Sequence, residues 1–396
     1  SIEVCPDGTA GQKRKFLTGF GGIDHDHGVH SMLLGPDGLL YCAFGNEGVH
    51  VTDSSGRRIY SDGKPYFGGM VFRCGLDGTG SEVLAHNFRN NYECALDSFG
   101  NIWQSDNDDD GNQWVRFTYV MHGGNYGYLG ATGRHWSQEK KSHFHMEDPG
   151  VVPTLLRTGG GSPTGLCVYE GSLLPERYRG LPIHTDAGPG VVQCFRVLPM
   201  GAGWHVEGAP LDGDGRQTIE TLSTIFKPEV MLTSTDSFFR PSDVAAAPDG
   251  SLLVADWYDP GVGGHGMGDT SRGRIYRLTP KGHKGYRVPA FDTASYDGLK
   301  AAFASPALSV RSLATLKIIE KGSAAVDDLK DLAASKDARQ RARALWLLGR
   351  LDEGRKDVEA MLRDPYPPEP PPPKEEVRPG PSSPTTNCSV APGVSS

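Results

Sequence analysis

The chain has 396 residues, a formal net charge of -8 and a sequence pI near 5.9. This acidic balance argues against nucleic acid as a main partner, because phosphate binding needs a basic surface. No window approaches about 18 consecutive apolar residues, so nothing in the sequence predicts a membrane-spanning helix. The 53 glycines favour many short strands joined by tight turns.

Four segments repeat one design: an apolar strand, a turn centred on Asp-Gly or a similar glycine turn, and a second apolar strand. They are residues 30–44, 92–103, 164–174 and 242–254. Because glycine supplies the positive φ of a tight turn, each segment predicts a β-hairpin. The spacing of roughly 60 to 80 residues suits the four-stranded blades of a β-propeller, which we predict over residues 1–286. We expect a fragment whose missing blades precede Ser1 or lie in divergent segments.

The pattern changes to helices after this region. Residues 297–364 show a period near 3.6, and the segment from Val310 matches the segment from Gln340. Short paired helices with an arginine near the start of the second resemble a HEAT repeat. Residues 365–396 contain 11 prolines and few apolar side chains, and we expect them to form a disordered tail.

The first candidate site is the segment Asp-His-Asp-His-Gly-Val-His at residues 24–30, directly before a predicted strand. His25 and His27 would point to one side of an extended chain and His30 to the other. Such a group could supply a general base or a metal ligand. It could equally be a solvated polar loop that is rich in histidine.

Two further candidate sites follow. Arg89 and Asn90, ahead of the second hairpin, offer a cation and an amide for anion or carbonyl recognition. The alternative is that the pair has only a structural role. Asp106, Asp108 and Asp110 precede a glycine as D-x-D-x-D-G, the opening of a calcium loop. A bound cation would offset the mutual repulsion of these carboxylates. The alternative is an exposed acidic loop without a cation.

Taken in order, these segments resemble the soluble quinoprotein (PQQ-dependent) glucose/sorbosone dehydrogenases. In that family a histidine lies eight residues before a Gly-Pro-Asp turn, as His27 lies before residues 35–37. An Arg-Asn pair precedes a hairpin, as Arg89 and Asn90 do, and Gly-Gly-Asn-Tyr-Gly-aromatic follows, as at residues 123–128. A closer match is the group of large exported dehydrogenases of planctomycete and verrucomicrobial bacteria, which join such a propeller to HEAT repeats.

The resemblance implies a six-bladed all-β propeller followed by a small α-helical HEAT-like domain. It implies that His27 takes the proton of a sugar or alcohol hydroxyl while hydride passes to PQQ. The implied catalytic residues are His27, Arg89 and Asn90. The implied cofactor-binding residues are Arg89, Asn90, Asn107 and Arg240, and the implied Ca2+ ligands are Asp106, Asp108 and Asp110.

The same resemblance implies an exported, periplasmic protein that passes electrons to an acceptor such as a c-type cytochrome. The chain contains no haem motif, so that acceptor would lie elsewhere. Two other functions stay open. One is a non-catalytic propeller that binds carbohydrate or protein, and the other is a Ca2+-dependent, lactonase-like hydrolase.

Deleting residues 365–396 should leave the melting temperature of the remaining chain unchanged, because the Pro-rich tail offers no apolar core to lose. Thermal unfolding of the full and shortened chains measures this. A fall of several degrees would show that the tail packs on the body.

Overall fold

The computed structural model describes residues 2–4, 10–13, 15–21, 27–46, 49–61, 65–108, 113–130, 145–214, 221, 224–262, 271–285 and 291–361. The predicted tail lies outside these residues, as do His25 and Asp110. Within the described ranges, no helix is both long enough and apolar enough to cross a bilayer.

Most of the regular secondary structure in the described chain consists of short strands. They are β1 (Ile2–Val4), β2 (Ala10–Lys13), β3 (Thr18–Phe20), β4 (Val29–Leu34), β5 (Leu40–Phe44), β6 (Val49–Thr52), β7 (Arg58–Tyr60), β8 (Gly69–Cys74), β9 (Glu82–Phe88), β10 (Cys94–Leu96), β11 (Ile102–Asp106), β12 (Val115–Tyr119), β13 (Gly124–Asn125), β14 (Leu156–Gly159), β15 (Pro163–Tyr169), β16 (Leu181–Asp186), β17 (Val191–Cys194), β18 (Val197–Met200), β19 (Gly203–Val206), β20 (Glu229–Thr233), β21 (Pro241–Ala246), β22 (Leu252–Asp256) and β23 (Arg274–Leu278).

Four sheets follow the order of the chain, and we call them blades 1 to 4. They are β4-β5-β8-β9 with β13 added in parallel, β10-β11-β12-β14, β15-β16-β17-β20 and β21-β22-β23. Smaller sheets are β1-β2, β3-β6-β7 and β18-β19. The first strands of all four blades line one common cavity, which is the arrangement of a propeller. The prediction of propeller-type blades is confirmed, and a six-bladed ring stays a prediction.

The predicted Asp-Gly turns join the first two strands of blades 1 and 4. Gly38 and Gly250 have φ of 71° and 87°, a region that favours glycine. In each turn the preceding aspartate, Asp37 or Asp249, accepts a hydrogen bond from the backbone N–H two residues further on. Local side-chain chemistry therefore determines both hairpins.

The third predicted hairpin is longer than expected. The sequence predicted a second strand close to Leu174, but the second strand of blade 3 is β16, which begins at Leu181. The Tyr169 hydroxyl accepts the N–H of Leu174 at 2.9 Å and donates to the carbonyl of Gly250 at 2.7 Å. This buried tyrosine anchors the longer connection to blade 4, which a glycine turn alone would not do.

In the described residues that follow the blades there are five α-helices, as the period near 3.6 predicted. They are α1 (Tyr296–Ala304), α2 (Leu308–Lys321), α3 (Val326–Ala333), α4 (Ala338–Leu348) and α5 (Arg355–Met361). Their buried apolar residues, among them Leu299, Phe303 and Leu347, form a cluster separate from those of the blades. The helices therefore have a hydrophobic core of their own.

The repeat between Val310 and Gln340 is visible in hydrogen bonds. Arg311 donates to the carbonyls of Ser305 and Pro306 at 2.9 and 2.7 Å. Arg341 donates at 3.0 Å to the carbonyls of the two residues at the matching positions, 335 and 336. Each arginine thus satisfies carbonyls just beyond the preceding helix, so α1-α2 and α3-α4 are equivalent helical hairpins.

A buried carboxylate joins the blades to these helices. The Glu170 side chain, 1% exposed in blade 3, lies 2.9 Å from Arg343 and 3.4 Å from Arg311. It also accepts hydrogen bonds from the hydroxyl and N–H of Ser98 at 2.8 and 3.0 Å. Burial alone would raise the pKa of Glu170, but Arg343, Arg311, Ser98 and Arg339 lower it to about 2. The joint is therefore charged and buried.

Glu170→Gln should destabilise the protein by about 3–5 kcal/mol, because it leaves buried arginines without their carboxylate. In the wild type, the stabilisation is present above the ordinary pKa of 4.5 and is lost as pH falls towards about 2. Denaturant unfolding across this pH range measures both effects. Glu320→Gln, on an exposed face of α2, is the control. An equal loss of unfolding free energy in the two variants would contradict the role of Glu170 as a buried ion-pair partner.

Candidate functional site

The candidate site lies where the chain enters the first strands of the blades, an end that we call the mouth. In three blades the second strand ends in an aspartate: Asp106, Asp186 or Asp256. Each carboxylate accepts the N–H of a residue just before the first strand of its blade, at 2.8 Å from Asn90, Ser162 or Arg240. These aspartates therefore hold the loops that form the mouth.

Two of the three aspartates have an arginine directly opposite on the next strand. Arg116 pairs with Asp106 at 2.7 Å, and Arg274 pairs with Asp256 at 2.8 Å. The residue opposite Asp186 is Val191, and no cation pairs with Asp186 among the described residues. Burial raises the pKa of Asp186 to about 7, although backbone N–H groups lower it. Blade 3 therefore places a carboxyl at the mouth that titrates near neutral pH.

The two described histidines of the first candidate segment lie at this mouth. The Nδ1 atom of His27 is 2.6 Å from Oδ1 of Asn46, and Nε2 of His30 is 2.8 Å from Oδ1 of Asn90. A Cβ at Gly45 would lie 2.5 Å from Oδ1 of Asn90 and 2.9 Å from the Cα of His27. Glycine there lets blades 1 and 2 bring His27 and Asn90 side by side.

In the described part of the acidic loop, the aspartates accept hydrogen bonds from protein groups. Asp106 is fully buried, and both of its oxygens accept hydrogen bonds from backbone N–H groups or Arg116. Asp108 accepts the N–H of Gln113 at 3.2 Å, and Asp110 lies outside the described residues. In the described ranges, no three His, Cys, Asp or Glu side chains converge on a metal position. Asp106 is therefore a partner of Arg116, and Ca2+ binding by Asp106, Asp108 and Asp110 stays a prediction.

The predicted cofactor residues lie in blades 2 and 4 at the mouth. Arg89 and Arg240 are half-buried, and Arg240 donates to the carbonyls of Phe239 and Gly261 at 3.0 and 2.9 Å. The N–H of Asn107 donates to the carbonyl of Asn90 at 3.4 Å. The structure therefore brings Asn90 and Asn107 together and places Arg240 at the matching position of another blade.

Sequence reasoning missed a pair of carboxyl groups deeper in the centre. Glu93 and Asp243 come three residues after the equivalent Asn90 and Arg240, and both line the cavity shared by the blades. The available signal was a charged residue beside an otherwise apolar strand, as in Tyr-Glu-Cys-Ala-Leu at residues 92–96. Nothing in either local sequence predicts that the two carboxyls meet.

Comparison with known proteins places the chain in a family. A family described as "Domain of unknown function (DUF7133)" matches residues 4–282, and the chain belongs to it. No match is found among curated proteins.

The solved structures to which this chain is similar include three that are named as sugar dehydrogenases. A protein from Thermus thermophilus assigned as an oxidoreductase (glucose dehydrogenase) is 19% identical, with 70% of this chain and 68% of that chain covered and a TM-score of 0.42. The PQQ-bound form of aldose sugar dehydrogenase from Streptomyces coelicolor is 20% identical, with coverages of 64% and 61% and a TM-score of 0.40. The holo form of the pyranose dehydrogenase PQQ domain from Coprinopsis cinerea is 15% identical, with coverages of 64% and 73% and a TM-score of 0.41.

Asp186→Asn should flatten the dependence of stability on pH. Because the folded-state pKa of Asp186 is raised to about 7, its contribution to stability is present below the ordinary value of 3.8 and is lost as pH rises through about 7. Melting temperatures between pH 5 and pH 8 measure this. The variant should keep part of the pH dependence, because Asp97 remains and its pKa is also raised to about 7.

The matched control is Asp256→Asn, which breaks the ion pair with Arg274 at the equivalent position. It should lower the melting temperature at pH 5 and at pH 8 alike. An unchanged slope in Asp186→Asn would show that this carboxyl does not titrate in that range.

Proposed function

We propose that the blades form the sugar- or alcohol-oxidising part of a quinoprotein-type dehydrogenase, in which His27 accepts the proton of the substrate hydroxyl. The observation that carries this proposal is the hydrogen bond between His27 and Asn46, at 2.6 Å. An amide oxygen can only accept, so Nδ1 of a neutral His27 carries the proton. The lone pair that can accept a proton from the substrate is then on Nε2.

Groups around His27 suit an alcohol that loses a proton and a hydride. Asn90 is 5% exposed and is fixed by its N–H bond to Asp106 and by the contact of its side chain with His30. His30 stacks on Tyr92 with ring centroids 4.3 Å apart. This rigid wall would orient a hydroxyl towards His27, and a fixed orientation is a large part of catalysis.

The described cations at the mouth fit an anionic quinone. PQQ carries carboxylate groups, and Arg89 and Arg240 offer guanidinium groups that are not fully buried. These arginines, with Asn90 and Asn107, would hold PQQ, which when bound supplies the acceptor for hydride. In the described ranges no three His, Cys, Asp or Glu side chains could hold a metal, and Ca2+ support from Asp106, Asp108 and Asp110 is a further part of the proposal on which no step here depends. A c-type cytochrome acceptor and a periplasmic location are further parts of the proposal, and the family resemblance alone supports them.

His27→Ala should lower dye-linked oxidation of sugars or alcohols by roughly 100-fold or more, the scale of a lost general base. The assay supplies PQQ and Ca2+ and tests a panel of aldoses and primary alcohols. Asn46→Leu should also lower the rate, because Nδ1 loses the acceptor that fixes its proton.

His50→Ala is the control, since His50 is an exposed histidine on β6 and is not one of the proposed site residues, and the rate of this variant should equal that of the wild type. If the intact protein oxidises no sugar or alcohol, the dehydrogenase proposal fails and a carbohydrate- or protein-binding propeller takes its place.

A further inference from the structure

A cavity lies at the centre of the blades. The cavity has a volume of about 420 Å³ and is lined by the first strands of all four blades and by residues 306–312 of the helical repeat. Its walls are mostly apolar, with Leu96, Leu166, Val168 and Val244 among them. This volume lies within the range of roughly 300–1,000 Å³ that is typical of small-molecule sites.

Two carboxyl groups from different blades meet in this cavity. Glu93 belongs to blade 2 and Asp243 to blade 4, and both line the cavity beside two adjacent residues of blade 3, because Glu93 accepts the N–H of Leu166 and Asp243 lies against residue 165. The equivalent residue of blade 3, between them, is Gly165. A Cβ there would lie 2.5 Å from the Cα of Asp243 and 2.7 Å from its Oδ1. Glycine at this position therefore makes room for the carboxyl pair.

No cation neutralises the pair in the described part of the chain. Neither Glu93 nor Asp243 takes part in an ion pair there, and their bonds to protein donors are from the N–H groups of Leu166 and Val244, at 2.9 and 2.7 Å. Arg311 also lines the cavity, but its guanidinium donates to the carbonyls of Ser305 and Pro306 and lies 3.4 Å from Glu170. Burial, together with the neighbouring Asp243, raises the pKa of Glu93 well above its ordinary value. The pair therefore presents carboxyl oxygens to a mostly apolar cavity, with no described ion-pair partner beside them.

We propose that this cavity binds a small organic ammonium ion, with the Glu93 and Asp243 carboxyls holding the charged head and the apolar strands enclosing the hydrocarbon body. The N–H groups of an ammonium match the two acceptors, and charge-assisted hydrogen bonds offset the loss of hydration on burial. The walls contribute by removing apolar surface from water. The site is separate from the mouth and does not depend on the proposed dehydrogenase activity.

The test titrates the full chain with n-hexylammonium and, separately, with neutral 1-hexanol, followed by calorimetry and by the shift in melting temperature. We expect saturable binding of n-hexylammonium and binding of 1-hexanol that is roughly tenfold or more weaker, the scale of a charge-assisted hydrogen bond. Equal affinity for the two probes, or no binding of n-hexylammonium, would overturn the proposal.

Two kinds of variant locate the binding. Glu93→Gln combined with Asp243→Asn keeps the shape of the pair, removes its charge and should abolish the preference for n-hexylammonium. Ala245 lines the cavity on the same face of β21 as Asp243. Ala245→Leu leaves both carboxyls in place but narrows the cavity, so it should weaken the binding of both probes. Glu320→Gln, outside the cavity, should change neither affinity. Unaltered binding in the first two variants would place the probe elsewhere and overturn the proposal.

Discussion

The joint between blades and helices depends on one desolvated carboxylate. Glu170 is buried at the end of β15 and faces arginines from α2 and α4, so its charge is compensated only when both helical hairpins are docked. A buried charge that loses its partners is strongly unfavourable, which makes this contact selective for a single arrangement. Docking in turn places residues 306–312 against the first strands, where they close one side of the central cavity. The shape of the cavity therefore depends on this ion cluster.

At the opposite end of the first strands, three blades repeat a different hydrogen bond to a carboxylate. Asp106, Asp186 and Asp256 each hold the loop that enters their own blade, so the mouth is built from equivalent positions with different side chains. The repeated backbone bond preserves the loop, while the residue opposite is free to vary between arginine and valine. A propeller can thus acquire a titrating or ligand-binding group in one blade without changing the geometry of the others.

The candidate site was only partly predictable. The histidines and the Arg-Asn pair stood out because polar groups cluster directly before strands, and the structure does place His27 and Asn90 side by side through Gly45. The acidic loop indicated a cation, yet Asp106 has Arg116 as its partner. That arginine stands in the next strand as an unremarkable residue, and only strand register brings it opposite the aspartate.

The sequence alone determined the local structure: Asp-Gly turns with positive φ, strands between them, and two helical hairpins with an arginine at the same position. These features depend on neighbours along the chain, through turn chemistry and helical period. Only the tertiary structure decided which charges meet. Glu93 and Asp243 lie in different blades, and Glu170 follows a strand of blade 3 while Arg343 lies in α4. The pKa values of Glu93 and Glu170 follow from burial and from these neighbours. Desolvation and Coulomb interactions depend on distance in space, and the spacing of residues along a chain does not carry that information.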